Sequence, residues 1–300
     1  MSNLMIEGGR RLSGSLPVYG AKNAILPILA ACIMTEEEVV LESCPVLSDV
    51  ANMLEILRLL GCSVAVEGDV IRINAKHANR HEMPTELSKK MRSSIFMLGA
   101  LISRFGKAWV TQPGGCEIGL RPIDLHLKGL RALNVSVDEE HGEIQCNGPH
   151  TKGAEITLDY PSVGATENII MAAVTAEGKT VLHNAAREPE VADLARFINQ
   201  MGGRIKGAGA GTIEIIGVKR LQGTRYKIMP DRIVAGTYLA AAAVTGGDVT
   251  LTGICPEHLQ AAASKLQETG CLIQFTEDTV RIQAPRHLGE MQKIETLPYP

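Results

Sequence analysis

An α/β fold assembled from a repeated unit is what this sequence predicts, on three observations. Four segments share one pattern: "VVLESCPVLSDVANMLEILRLLGCSVAVEGDVIRI", "AWVTQPGGCEIGLRPIDLHLKGLRALNVSVDEEHGEIQC", "TVLHNAAREPEVADLARFINQMGGRIKGAGAGTIEII" and "DVTLTGICPEHLQAAASKLQETGCLIQFTEDTVRI". Their opening strands align at Leu41, Val110, Val181 and Leu251, separated by 69, 71 and 70 residues. A further helix precedes each copy, and the polar residues at its start fall at Lys22, Arg92, Ser162 and Arg232, at intervals of 70.

Each element follows from its local pattern. The preceding helices, "AKNAILPILAACI", "KKMRSSIFMLGALI", "SVGATENIIMAAV" and "DRIVAGTYLAAAAV", are apolar nearly all round, which predicts helices buried inside a domain. Within each copy an apolar run predicts a strand, a polar loop leads into an amphipathic helix, and Gly or Asn closes that helix. Two strands around a turn complete the copy. The unit therefore reads helix, strand, helix, strand, strand, a small α/β module rather than one turn of a solenoid.

Composition excludes several classes of function. With 300 residues at 45% hydrophobic the chain can bury a substantial core in one large domain or two. A net charge of −3 and an aromatic content of 3% argue against nucleic acid, which needs a basic surface and stacking platforms. The longest apolar run, "AILPILAACIM", contains a proline and is well short of the roughly 20 residues of a membrane span, so a soluble chain with no membrane partner is expected. Glu7, Arg10 and Arg11 interrupt the place of a signal peptide, and seven cysteines without a CxxC pair fit a reducing cytoplasm.

Helix starts are where the residues first point to chemistry. Backbone N–H groups at a helix N-terminus attract anions, so starts that converge would form an anion site. In "YGAKNAILPIL", Lys22 stands where such an anion would sit; the alternative is a solvated charge. Cysteines offer a second pointer. Cys44 and Cys255 occupy matching places in copies one and four, as do Cys62 and Cys271, and all four read as small packing residues. Cys116 has no counterpart: it lies in "QPGGCEIGLRPIDLH", in the copy whose segment from first strand to helix end is longest. With Arg121 nearby it reads either as a reactive thiol of lowered pKa or as an inert surface thiol. His126 on the next helix is an acid or base, or a packed histidine. Glu188 and Glu190 in "AAREPEVADL" open a helix as dipole-compatible acids, or touch substrate.

Two tempting motifs fail. "GAGAGT" occupies the hairpin turn that "EGD" and "TED" fill elsewhere, and "EGKT" has Ala173 where a P-loop requires glycine. Neither ATP nor a dinucleotide cofactor is implied, and no His, Cys and carboxylate cluster has metal-ligand spacing.

The segments "YGAKNAILPILAA", "MRSSIFMLGALI", "PGGCEIGLRPIDLHLKGL", "SVGATENIIMAA", "NAAREPEV" and "PDRIVAGTYLAAAA" resemble the successive signatures of the UDP-N-acetylglucosamine 1-carboxyvinyltransferase family of enolpyruvyl transferases. The resemblance runs from about Leu4 to Pro300 and implies the family's inside-out α/β barrel: six such units, three per domain, with substrates between two domains. It implies transfer of an enolpyruvyl group from phosphoenolpyruvate to the 3-hydroxyl of UDP-N-acetylglucosamine, with no cofactor or metal, at the start of peptidoglycan synthesis. By motif, Lys22 and Asn23 would contact phosphoenolpyruvate and substrate, with Lys22 also catalytic. Cys116 would be the catalytic loop thiol that adds to phosphoenolpyruvate, acts as proton donor and is open to fosfomycin. Arg92 with Arg121, Pro122, Ile123, Asp124 and Leu125 would hold the nucleotide sugar, and Ser162, Val163 and Gly164 its diphosphate. Tyr160 stands where some members carry a lysine.

The same resemblance gives the domain expectation: residues 22–229 as a three-copy domain, and 1–21 plus 230–300 as a second with one copy of three. The series of helix starts would next reach 302, beyond Pro300, so the chain as given is expected to bind the nucleotide sugar weakly without turnover. Two alternatives accompany it: a non-catalytic UDP-sugar-binding homologue, and a sister transferase acting on shikimate 3-phosphate, which lacks the Gly-Gly-Cys loop.

Overall fold

The computed structural model describes residues 5–83, 85–111, 123–140, 142–291, 293–295 and 297–299. β1 (Ser13–Pro17) leads into copy one: α1 (Lys22–Ala31), β2 (Glu38–Glu42), α2 (Ser48–Leu59), β3 (Ser63–Glu67) and β4 (Val70–Asn74). Copy two holds α3 (Thr85–Lys90), a 3-10 turn (Arg92–Phe96), α4 (Met97–Phe105), β5 (Lys107–Thr111), α5 (Asp124–Ala132), β6 (Ser136–Glu140) and β7 (Glu143–Asn147). β8 (Glu155–Thr157) precedes copy three: α6 (Val163–Ala173), β9 (Lys179–His183), α7 (Pro189–Gln200), β10 (Ile205–Lys206) and β11 (Thr212–Ile216). β12 (Thr224–Lys227) precedes copy four: α8 (Arg232–Val244), β13 (Asp248–Thr252), α9 (Gln260–Glu268), β14 (Leu272–Phe275) and β15 (Thr279–Gln283).

Every copy builds the same sheet, its last strand lying between the other two: β2-β4-β3, β5-β7-β6, β9-β11-β10 and β13-β15-β14. The helices after the first strands end as the sequence requires. Gly61, Asn134, Gly202 and Gly270 take positive φ of 100°, 65°, 98° and 89°, the left-handed turn that releases a helix into a strand.

An additional strand, not read from the sequence, joins three of the four sheets in parallel. β12 pairs with β2, β8 with β9 and β1 with β13. In copy two a single parallel bridge from Glu82 to Trp109 takes that place. Two of these strands are exchanged between distant copies: β1 precedes α1 yet completes the sheet of copy four, and β12 precedes α8 yet completes that of copy one. The chain accordingly forms two compact units, Met1–Ala21 with Met229–Leu297, and Lys22–Ile228 with Pro298–Pro300.

In the larger unit α1, α4 and α6 form the interior. Ala24 to Ala31 of α1 and Ala165 to Ala173 of α6 are buried throughout. α2, α5 and α7 pack against this core, and the sheets turn alternate residues to solvent, as in the exposed and buried alternation of β11. Two expectations need correction. "KKMRSSIFMLGALI" is not one helix: Met91 is extended at φ −139°, which separates α3 from the 3-10 turn and α4. Nor is α8 buried all round. Ile233, Val234, Tyr238 and Val244 are exposed, because α8 is the sole copy-opening helix of the smaller unit and its core lies on one side, around Ala235, Leu239, Ala242 and Ala243.

Exchange of β12 is secured by side chains as well as by the ladder. Tyr226 donates to Asp193 Oδ1 at 2.7 Å, Arg196 meets the same oxygen at 2.9 Å, and the Tyr226 ring stands edge-on to Phe197. A hydrogen bond to a charged group contributes about 1.5–3 kcal/mol, so Tyr226→Phe should lower Tm by about 2–4 °C per kcal/mol lost. Thermal unfolding of the two proteins checks it; an unchanged Tm would show that the ladder alone holds β12.

Candidate functional site

Three of the four helix openings lie together. α4 and α6 run parallel: the Gly99 N–H donates to Asn168 Oδ1 at 2.8 Å, and four residues further along α4 Ser103 Oγ meets Thr175 Oγ1 at 2.9 Å. The ends of α1, α4 and α6 meet at a cavity of about 580 Å³ lined by Thr35, Ser103, Arg104 and Thr175, so their starts face the other way, at one end of the larger unit. Helix openings carry partial positive charge and helix ends partial negative charge. The cavity also holds the Arg104–Glu36 ion pair, at 3.0 Å, so its cation already has a carboxylate. An anion is favoured at the starts. Of the series predicted from the sequence, Lys22, Arg92 and Ser162 share this unit; Arg232 opens α8 in the other.

Ser162 caps α6. Its Oγ accepts from the Ala165 N–H at 3.4 Å, while Val163 and Gly164 fall in the first turn, where N–H groups have no carbonyl beneath them. Lys22 is the first residue of α1, half exposed, with Nζ 3.3 Å from Asp49 of α2. Asn23 follows it, exposed. Any anion that came to Lys22 would share the ammonium with Asp49, a partner the sequence did not reveal. Arg92 opens the 3-10 turn, which packs against both α1 and α6; its side chain is outside the described set.

Ile123 caps α5, Asp124 and Leu125 begin it, and the next residue, His126, is buried against the opening of α6. A Cβ added to Gly164 would stand 3.1 Å from His126 Cε1 and 3.3 Å from Nε2, so the imidazole occupies the space that glycine leaves. His126 Nδ1 lies 2.8 Å from Asn168 Nδ2. The packed reading of His126 therefore describes its position. Asn168 was passed over in the sequence, although "TEN" interrupting an apolar helix was a signal that polar groups had buried partners.

Cys116, Arg121 and Pro122 lie outside the described residues, as does the whole of 112–122. The other six cysteines are free thiols, five of them buried, with Cys255 half-buried. Burial pushes Cys44, Cys62 and Cys146 up to about 12, and burial with the nearby Glu257 carboxylate takes Cys255 to about 11. Glu188 caps α7 without a side-chain cap bond, and Glu190 is buried in its first turn. Glu167 of α6 is also buried, neither carboxylate oxygen has a hydrogen-bond partner among the described residues, and burial together with Glu190 and Glu188 raises its pKa well above the carboxylate range. Among the described residues no cluster could hold a metal ion, and no helix is long and apolar enough to cross a membrane.

Comparison with known proteins is consistent in fold and sequence. The family described as EPSP synthase (3-phosphoshikimate 1-carboxyvinyltransferase) matches residues 6–300. UDP-N-acetylglucosamine 1-carboxyvinyltransferase 2 of Caldanaerobacter subterraneus subsp. tengcongensis is 52% identical over 300 residues, 100% of this chain and 72% of that protein. UDP-N-acetylglucosamine 1-carboxyvinyltransferase 1 of Symbiobacterium thermophilum is 49% identical over 302 residues, 99% of this chain and 68% of its own length. Among solved structures, the enolpyruvyl transferase NikO from Streptomyces tendae superposes with a TM-score of 0.82 at 23% identity, over 93% of this chain and 67% of NikO. At that identity the likeness shows the fold, the repeated helix and sheet unit just described. The chain therefore belongs to the enolpyruvyl transferase family, among the UDP-N-acetylglucosamine 1-carboxyvinyltransferases.

Proposed function

We propose that this chain serves the transfer of the enolpyruvyl group of phosphoenolpyruvate to the 3-hydroxyl of UDP-N-acetylglucosamine with release of phosphate, in the cytoplasmic synthesis of peptidoglycan. The observation that carries the reading is the gathering of three helix openings, at Lys22, Arg92 and Ser162, in a chain 52% identical throughout to a relative named for that reaction. In this reading the diphosphate of the nucleotide sugar lies on the opening turn of α6, where the Val163 and Gly164 N–H groups meet it. Arg92, and Arg121 with Pro122, Ile123, Asp124 and Leu125, hold the rest of the nucleotide sugar. Lys22 and Asn23 hold phosphoenolpyruvate, whose phosphate and carboxylate the ammonium offsets.

Cys116 supplies a proton to the methylene carbon of phosphoenolpyruvate while the sugar 3-hydroxyl adds to the neighbouring carbon and loses its own proton. The tetrahedral product carries the phosphate. Loss of a methyl proton to the Cys116 thiolate then restores both the double bond and the thiol, and phosphate leaves with the proton given up by the hydroxyl, so atoms and charge balance across the two steps. Fixed cations and helix openings stabilise such a phosphate-bearing intermediate because their dipoles need no rearrangement as charge develops.

Calorimetric titration with UDP-N-acetylglucosamine, and separately with shikimate 3-phosphate, tests the reading. The nucleotide sugar should bind, Arg121→Ala should abolish that binding, and shikimate 3-phosphate should give no heat. Binding of shikimate 3-phosphate instead, or of neither ligand, would overturn it.

A further inference from the structure

We propose that Asn168 is a positioning residue for the nucleotide-sugar site, acting through His126 on the opening turn of α6; this rests on the function proposed above. Asn168 is fully buried on α6, and its partners dictate its orientation. The Gly99 N–H can only donate, so it faces Oδ1, at 2.8 Å. The Ile95 carbonyl can only accept, so it faces Nδ2, at 3.0 Å. The remaining Nδ2 hydrogen points to His126 Nδ1 at 2.8 Å. That nitrogen is therefore the acceptor, and the neutral imidazole carries its proton on Nε2.

One amide thus ties together the segments that bear the proposed nucleotide-sugar contacts. Ile95 belongs to the 3-10 turn that Arg92 opens, and His126 follows Ile123, Asp124 and Leu125. The His126 ring, held by Asn168, lies against Gly164 in the turn that Ser162 caps. A close approach enforces the arrangement: a Cβ on Gly99 would fall 2.3 Å from the Asn168 carbonyl oxygen and 2.9 Å from Oδ1. An amide in this place can donate twice and accept once at the same time. A carboxylate cannot donate, and it draws the imidazole proton to Nδ1.

Two variants and their combination test the proposal. Asn168→Asp removes both donors at constant shape. His126→Phe keeps a ring against Gly164 and removes the acceptor. Imidazole nitrogen NMR, with the His126 signals identified by their loss in His126→Phe, should show Nδ1 unprotonated in the wild type and protonated in Asn168→Asp. Each single variant should weaken UDP-N-acetylglucosamine binding at least about tenfold, since small misplacements of a site are costly, and the double variant should lose no more than the worse single. A role confined to stability would lower Tm and leave the dissociation constant of the folded protein unchanged. A wild-type His126 protonated at Nδ1, unchanged binding in the single variants, or additive losses would each overturn the positioning role. If Asn168→Asp does not fold, the wild-type spectrum and His126→Phe binding still decide it. A wild type that binds no nucleotide sugar overturns the functional reading and this role together, whereas a binding wild type with unaffected variants overturns this role alone.

Discussion

Treatment with an epoxide analogue of phosphoenolpyruvate such as fosfomycin is expected to modify Cys116 and to spare Cys44, Cys62 and Cys146. The thiolate is the nucleophile, and with a pKa of about 12 these three buried thiols are scarcely ionised. At about pH 8 an ordinary thiol of pKa ~8.5 carries roughly three orders of magnitude more thiolate than one of pKa ~12, before any barrier to reagent entry is counted. Cys255, at about 11, is disfavoured by roughly two orders of magnitude on the same reasoning. Cys32 is buried and burial raises its thiol well above the ordinary range, and Cys271 is buried as well. Peptide mapping after treatment reads the result directly. An adduct concentrated on Cys44, Cys62, Cys146 or Cys255 would sink the assignment, as would equal modification of wild type and Cys116→Ala.

A stability gain from Glu167→Met that grows with pH is the second large effect expected. The Glu167 carboxyl is buried on α6 without a hydrogen-bond partner among the described residues, and burial first, then the carboxylates of Glu190 and Glu188, raises its pKa. The unfolded chain releases this proton near the usual ~4.3, whereas the folded chain keeps it to higher pH. Folded protein therefore binds more protons between the two values. Its stability is fully present below the unfolded pKa and is lost progressively as pH rises through the folded one. Methionine has nearly the same volume, no charge and no unmet hydrogen bond, so the substitution removes that loss along with an unsatisfied-group cost of about 1–3 kcal/mol. Urea unfolding at about pH 5 and about pH 8 should give a higher midpoint for the variant at both, with the wider gap at the higher pH. An equal gap at both values would show that Glu167 does not titrate with folding, and a lower midpoint would show that the carboxyl has a stabilising partner.

Periodicity made the architecture legible because each unit repeats its signals at one spacing. Lys22, Arg92, Ser162 and Arg232 all stand within a residue of a helical opening, and Gly61, Asn134, Gly202 and Gly270 close the outer helices as their residue types require. The parallel strands were not legible. "SGSLP" and "TRYK" are short, and their partners Asp248–Thr252 and Val39–Glu42 are far away in sequence, so no local pattern marks them. Exposure of one side of α8 was hidden for a related reason: α1, α6 and α8 have the same apolar composition, and burial depends on how many such helices a unit gathers. At the site, the helix openings could be read from spacing. The pairing of His126 with Asn168, 42 residues on, could not, because a buried amide and a solvated one are written with the same letter.

Strand exchange also sets a timetable for synthesis. β2 leaves the ribosome with one side free, and the strand that covers it, β12, follows about 185 residues later. At translation rates of roughly 5–20 residues per second that interval lasts on the order of 10–40 s. β1 waits longer still, since its partner β13 begins at Asp248. Until β12 arrives, β2 presents unpaired N–H and C=O groups beside the buried, apolar run Val39-Val40-Leu41, the kind of edge that recruits other nascent chains. Polysomes crowded on one message hold many such edges close together. A chaperone that shields them is therefore most useful to this protein before residue 224 has been added.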